Sequence, residues 1–345
     1  MLQKTKCYRL NNGVKIPLIG FGTDYLKGDE CINAVICAIE CGYRLIDTAS
    51  IYKNEKEIGI AVKKCIERGI IKRSDIIIET KSHWFGPGYE EVLQSYRESL
   101  KNFDLDYIDI YALHHSFAGY FSWQKDIVSS WRALEYLYNQ GEVKTIGVCN
   151  FSYRDLDVLL TSAKVYPAFN QLEIHPQHQQ KELVEFCRKK DIFVQSWGAL
   201  AKGKIFKVKE IEQIAQKYNK SVAQIAIAWN VNHGFSPLVR SANFGHIEGN
   251  VNISDINISS KDMDFLDSLD GGEYSGHDVN EIAPIGQMTT RNFKHLLQQL
   301  AFYKNKHTKK YKLFGCITFL KIVKESNRIT RCYLLGIPIL KIDTK

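Results

Sequence analysis

Eight short runs of branched apolar residues, each followed by a stretch of helical period, constrain this chain more than any other feature of its sequence. The runs lie at 17–21, 43–47, 76–80, 106–113, 143–148, 168–172, 192–197 and 236–240. Between the first two, Ile32, Val35, Ile36 and Ile39 fall at the i, i+3, i+4, i+7 spacing of one face of an amphipathic helix. Val92, Leu93, Tyr96 and Leu100 repeat that spacing in part, as do Val222, Ile225, Ala226 and Trp229, and another helix is predicted around 55–68. Strands that alternate with helices pair in parallel through crossover connections. Over roughly 250 residues, the pattern predicts an α/β fold that is either a closed (β/α)8 barrel or an open doubly wound sheet. Asn11-Asn12-Gly13, flanked by strand-like residues, predicts a small hairpin ahead of the first run. No G-x-G-x-x-G follows an early strand and no G-x-x-x-x-G-K-[ST] occurs, which argues against a Rossmann site or a P-loop.

With 345 residues, 45% of them hydrophobic and 24% charged, the chain can bury a large core. No stretch approaches the roughly 18 apolar residues of a spanning helix. The opening Met-Leu-Gln-Lys-Thr-Lys starts no apolar signal-peptide core. The nine cysteines form no CxxC pair and no metal-ligand spacing, so a reducing, cytoplasmic setting and no metal are expected. The net charge of +8 is concentrated: residues 304–345 carry +9 and the rest −1. The basicity belongs to an appendage, and nucleic acid is not an expected partner.

Barrel enzymes build their sites at the C-terminal ends of the strands. Asp47 closes the second run with Tyr52 five residues on, Lys81 closes the third, and His114 closes the fourth. A carboxylate, a phenol, an ammonium and an imidazole on one rim suggest proton donation to a carbonyl oxygen. An adjacent ammonium is expected to lower the phenol's pKa from about 10, a carboxylate to hold the ammonium, and a neutral imidazole to orient the oxygen. Such a general acid suits a reduction whose hydride comes from elsewhere.

The chain resembles the aldo-keto reductases over residues 8–285. The motifs are Gly-Phe-Gly-Thr at 20–23, Gly-Tyr-Arg-Leu-Ile-Asp-Thr-Ala-Ser-Ile-Tyr at 42–52, Thr-Lys at 80–81 and Leu-Asp-Tyr-Ile-Asp-Ile-Tyr-Ala-Leu-His at 105–114. Gly-Val-Cys-Asn-Phe at 147–151, Asn-Gln-Leu-Glu-Ile-His-Pro at 170–176 and Gln-Ser-Trp-Gly-Ala-Leu at 195–200 complete the set. The resemblance implies a (β/α)8 TIM barrel that binds NADP(H) across the strand ends, with Asp47, Tyr52, Lys81 and His114 as the catalytic tetrad. It places Asp47, Asn150 and Gln171 beside the nicotinamide, Trp197 against its ring, and Gly22 and Thr23 near its ribose. Leu200 falls near the pyrophosphate. Cys149 stands where the family usually has Ser. At the adenine end, Arg240, Ser241 and Asn250 align with the family's Lys, Ser and Asn, whereas His246 and Gly249 replace Arg and Glu. A mostly neutral imidazole weakens a phosphate clamp, so NADP(H) is expected and NAD(H) use stays open.

For the substrate, Asp24 replaces a frequent Trp and His115-Ser116 a frequent Trp-Pro, with Trp84 and Trp123 as further candidates for the pocket mouth. The expected substrate is a small polar or sugar-derived carbonyl compound. A non-catalytic cofactor-binding scaffold or sensor on the same barrel is the alternative reading. The barrel is expected to span 1–285 and a basic extension 286–345. Within the extension, Leu-Phe-Gly-Cys-Ile-Thr-Phe-Leu-Lys-Ile at 313–322 is echoed by Leu-Leu-Gly-Ile-Pro-Ile-Leu-Lys-Ile at 334–342, which predicts a small β unit. The tail is similar to short C-terminal segments of bacterial surface-polysaccharide glycosyltransferases. Its basic and apolar character suits contact with an anionic membrane surface or a partner enzyme.

Overall fold

The computed structural model describes residues 6–83, 88–116 and 123–275, and the backbone of four strands between 308 and 343. Trp84 lies outside the described residues, and for Trp123 the backbone alone is described, at the start of a helix. The chain divides into two units, Met1–Ile282 and Ala283–Lys345.

In the first unit a hairpin of β1 (Cys7–Arg9) and β2 (Lys15–Pro17) precedes eight parallel strands. These are β3 (Gly20–Gly22), β4 (Leu45–Asp47), β5 (Ile77–Lys81), β6 (Ile110–Leu113), β7 (Thr145–Cys149), β8 (Phe169–Glu173), β9 (Phe193–Trp197) and β10 (Ser236–Val239). They close into a barrel in sequence order, with β10 pairing β3. The closed form of the two that the sequence left open is the one adopted. The first predicted run divides between two elements, because Pro17 ends the hairpin and the barrel begins at Gly20.

The helices α1 (Gly28–Glu40), α2 (Glu55–Glu67), α3 (Tyr89–Phe103), α4 (Trp123–Asn139), α5 (Tyr153–Leu160) and α6 (Lys181–Lys189) follow successive strands. After β9 come α7 (Lys209–Tyr218) and α8 (Val222–Asn232), and after β10 come α9 (Phe244–Val251) and α10 (Ser260–Asp267). Several begin on side-chain caps: Ser152 with Asp155 and Ser221 with Gln224 form capping boxes, and Asn243 and Ser259 accept from the third residue of their helices. Apolar residues between helices and barrel form the main core.

The barrel interior is stratified. Leu45, Ile110 and Phe169, the first residues of their strands, pack with Leu238 and with Leu10 and Ile16 of the hairpin, so the N-terminal mouth has an apolar stopper. The turn fastens it: Asn11 Nδ2 donates to Pro167 O and Asp191 O, and Asn12 Nδ2 to Lys144 O, just before β8, β9 and β7. At Gly147 a Cβ would sit 2.3 Å from the Phe169 ring, which leaves room for no side chain. Above this layer the interior turns polar, with Glu79, Gln171 and Gln195 leading up to Asp47 and Lys81.

In the second unit β11 (Thr308–Leu313), β12 (Ile317–Lys324), β13 (Ile329–Leu334) and β14 (Ile337–Asp343) form an antiparallel meander. The sequence echo appears as two hairpins, each with a register shift that leaves one residue of its second strand unpaired, Phe319 on β12 and Ile339 on β14.

Candidate active site

The C-terminal end of the barrel gathers the four rim residues. Asp47 and Lys81 are the last residues of β4 and β5, and His114 directly follows β6. Lys81 Nζ donates to Asp47 Oδ1 at 2.5 Å and to Thr48 O at 2.8 Å. Lys81 has no exposed surface, so its charge is sustained by this ion pair and carbonyl rather than by water. Tyr52 sits half-buried on a single 3-10 turn, Ser50–Tyr52. Its ring meets that of His114 edge to face at 5.7 Å, and Lys81 Nζ lies 5.7 Å from its centroid.

Asn54, which the sequence reading passed over, fixes that turn. It is fully buried; its Oδ1 accepts from Thr48 Oγ1 at 2.7 Å, and its Nδ2 donates to Thr23 O and Leu26 O at 2.8 and 3.1 Å. Thr23 in turn donates through N and Oγ1 to Asp47 O. The loops after β3 and β4 are thereby tied together beneath Tyr52.

The electrostatics differ in one respect from the sequence expectation. Burial, and then the Asp47 charge, push the Tyr52 phenol well above its usual pKa of 10. The expected lowering by Lys81 does not prevail, because the ammonium is directed at Asp47 and Thr48 O. Burial, with Lys81 and His115 nearby, holds His114 well below 6.5, so its imidazole is neutral at pH 7. Burial works against the Lys81 ammonium, but the Asp47 carboxylate outweighs it and keeps the amine protonated. Glu79, a second buried carboxyl, is pushed up to about 8 by burial and by Asp47.

The expected cofactor residues line the same end. Asn150, at φ 59° just past β7, accepts at Oδ1 from Trp197 Nε1 at 2.8 Å and donates to His114 O and Cys149 Sγ. Gln171 directs its Nε2 inward at Glu79, Gln195 and Asp47, while its Oε1 receives a long thiol contact from Cys149 at 3.5 Å. Trp197 is half-buried, with Lys202 Nζ 5.6 Å from its ring, and Leu200 stands at the edge of the following turn. Gly22 and Thr23 are buried beside Asp47. Arg240 is exposed past β10 with its guanidinium 5.7 Å from the Tyr25 ring. Ser241 Oγ accepts from Asn243 N, His246 is exposed on the first turn of α9, and Asn250 is buried on the same helix. Of the substrate candidates, Asp24 is half-buried near Arg240 and Lys202, burial raising its pKa and those cations lowering it. His115 is buried.

The family model for the aldo/keto reductase family matches residues 18–271. The chain belongs to that family. This aldo/keto reductase is an NAD(P)H-dependent oxidoreductase. It is 38% identical over 275 residues to the glyoxal reductase of Bacillus subtilis, covering 79% of this chain and 96% of that one. The crystal structure of MGS-M4, an aldo-keto reductase from a Medee basin deep-sea metagenome library, superposes with TM-score 0.73 at 36% identity, over 77% of this chain and 96% of that one. An aldo-keto reductase of Bombyx mori, solved in complex with NADP, gives 0.72 at 27% identity, over 79% and 95%. The family match ends ahead of the second unit.

Proposed function

We propose that this aldo/keto reductase reduces a small polar aldehyde or ketone to the alcohol with NADPH, Tyr52 supplying the proton. The observation that carries this reading is the convergence of Tyr52, neutral His114 and the buried Lys81–Asp47 pair on one point of the rim. The residues fit the cofactor. Gln171 Oε1 and the Asn150 amide suit a carboxamide, half-buried Trp197 offers a ring to stack, and Arg240 and Lys202 are cations for phosphates. Gly22, Thr23, Leu200, Ser241, His246 and Asn250 complete the cradle. The nicotinamide, when bound, supplies the hydride.

His114, a neutral imidazole, hydrogen-bonds the substrate oxygen and so orients the carbonyl. Tyr52, protonated throughout the neutral range, gives its proton to that oxygen as negative charge develops on it. The phenolate left behind faces the Lys81 ammonium, and Asp47 keeps that ammonium in place. Asp24 and His115 give the mouth a polar character, and the likeness to a glyoxal reductase agrees with a small polar carbonyl substrate. We place the chain in the cytoplasm, where its described free thiols are stable, with the basic tail meeting an anionic membrane surface.

Tyr52→Phe tests the reading. NADPH-dependent reduction of glyoxal-type and sugar-derived carbonyls is expected to fall by about 10²–10⁴-fold while NADPH still quenches tryptophan fluorescence. Unchanged turnover would remove Tyr52 from the mechanism, and wild-type activity confined to aromatic aldehydes would sink the polar-substrate assignment.

A further inference from the structure

Two carboxyl groups lie near one ammonium inside the barrel, and only one of them holds it. Glu79 stands two residues before Lys81 on β5, so both side chains leave the same face of the strand, toward the barrel axis. Pairing of β4 with β5 sets Asp47 beside Glu79, and pairing of β8 with β9 sets Gln171 beside Gln195. The two pairs meet across the interior. Glu79 Oε1 accepts from Gln171 Nε2 at 2.9 Å and Oε2 from Gln195 Nε2 at 2.8 Å. Gln171 Nε2 also lies 3.1 Å from Asp47 Oδ1 and 2.8 Å from Gln195 Oε1. Glu79 has no exposed surface.

The titratable groups facing Glu79 are Asp47 from β4, Lys81 from β5 and Cys149 from β7. Lys81 is the sole cation among them, and its Nζ is taken by Asp47 and Thr48 O. A second carboxylate here would be an anion with no exposed surface and no cation of its own, which costs far more than holding a proton. The geometry therefore leaves Glu79 as the protonated member, with Asp47, its register neighbour across β4 and β5, as the acceptor within reach of its O–H. Its pKa of about 8 agrees.

We propose that Glu79 is a positioning residue of the reductase site: as a neutral acid it donates to Asp47 and, with Gln171 and Gln195, holds the Asp47–Lys81 pair in working geometry. Loss of the Glu79 proton to solvent removes the donor from Asp47 and places a second negative charge beside the Lys81 ammonium. The added negative potential tightens the hold of Tyr52 on its proton, so turnover falls. This rests on the reading of Tyr52 as the acid that Lys81 serves.

The test compares full-length wild type, Glu79→Gln and Glu79→Leu with NADPH and a carbonyl substrate across pH 6 to 10. Gln cannot ionise, but can still donate to Asp47 and accept from Gln171 or Gln195. Wild-type kcat is expected to fall above pH about 8, up to about tenfold per pH unit, whereas Glu79→Gln stays level through that range and matches wild type at pH 7. Glu79→Leu strips both glutamines of an acceptor, and kcat is expected to drop by about tenfold or more at every pH with KM little changed. Infrared difference spectra between pH 6 and 10 give a readout independent of turnover and of Leu-variant folding: the wild type should show a protonated-carboxyl band that Glu79→Gln lacks. Coincident alkaline limbs, or absence of that band, would overturn the proposal. Failure of the underlying reading shows itself separately, as undiminished turnover in Tyr52→Phe.

Discussion

At the residue scale, the site is a charge-balance problem solved with few groups. One ammonium, one carboxylate, one carboxylic acid, one neutral imidazole and one protonated phenol gather at the barrel end; burial holds the acid, the imidazole and the phenol uncharged, and the Lys81–Asp47 pair keeps its charges against it. The sign of the Glu79 effect on stability follows. Its folded pKa of about 8 lies above the ordinary 4.5, so its contribution is complete below pH 4.5 and is lost as pH rises through 8. Urea midpoints between pH 5 and 8.5 should decline more steeply for wild type than for Glu79→Gln; parallel declines would show that Glu79 is ionised throughout. At the other end of the cradle, Arg240 is the exposed cation that remains where His246 stands in place of the family's second Arg. Arg240→Ala is expected to weaken NADPH binding by about 10–100-fold and NADH binding much less, read by fluorescence titration. Equal losses would mean that Arg240 does not contact the 2′-phosphate.

At the element scale, much of the fold was legible. Each of the predicted runs overlaps a barrel strand, the first and fourth over half their length or less, and the predicted helical faces are buried ones, Val35 and Ile39 on α1 and Val92 and Tyr96 on α3. Asp47, Lys81 and His114 could be placed at the rim because each lies at or just after a strand end, and Tyr52 because it follows Asp47 by five residues. Glu79 and Gln195 could not, because in a parallel barrel both faces of every strand are covered. Thr80 points outward yet is as buried as Glu79, donating to Glu55 on α2. Alternation of polar and apolar residues thus carries no inside–outside signal, and a polar residue within a run looks the same on either face. Asn54 escaped for a different reason: its bonds reach 28 and 31 residues back to Leu26 and Thr23, and local spacing does not show them. Close packing makes its own prediction. Gly147→Ala sets a methyl into the Phe169 ring, so a loss of about 1–3 kcal/mol is expected in denaturant unfolding, with the active-site ion pair on β4 and β5 little changed. A neutral substitution would mean that the ring has room to retreat.

At the scale of the whole molecule, the chain is a barrel unit followed by a four-stranded unit with its own internal repeat. A chain ending at Ile282 is expected to keep turnover and cooperative unfolding, while losing the sedimentation with anionic vesicles that the full chain shows at low salt. Vesicle binding that persists in the shortened chain, or is absent from both, would remove the membrane role assigned to the tail. The tail was legible as an echo of two segments, because repeated Gly-flanked apolar runs mark hairpins whatever their context.

The hairpin at the barrel floor has a consequence for the order of assembly. Its turn hydrogen-bonds to partners 132, 156 and 180 residues further along the chain, and β3 must wait for β10 to close the ring. During synthesis the N-terminal segment leaves the ribosome with its apolar side chains uncovered, and its acceptors do not exist until most of the barrel has been made. The first part of the barrel unit to be produced is thus among the last to settle, and over that interval Leu10 and Ile16 have no core to join.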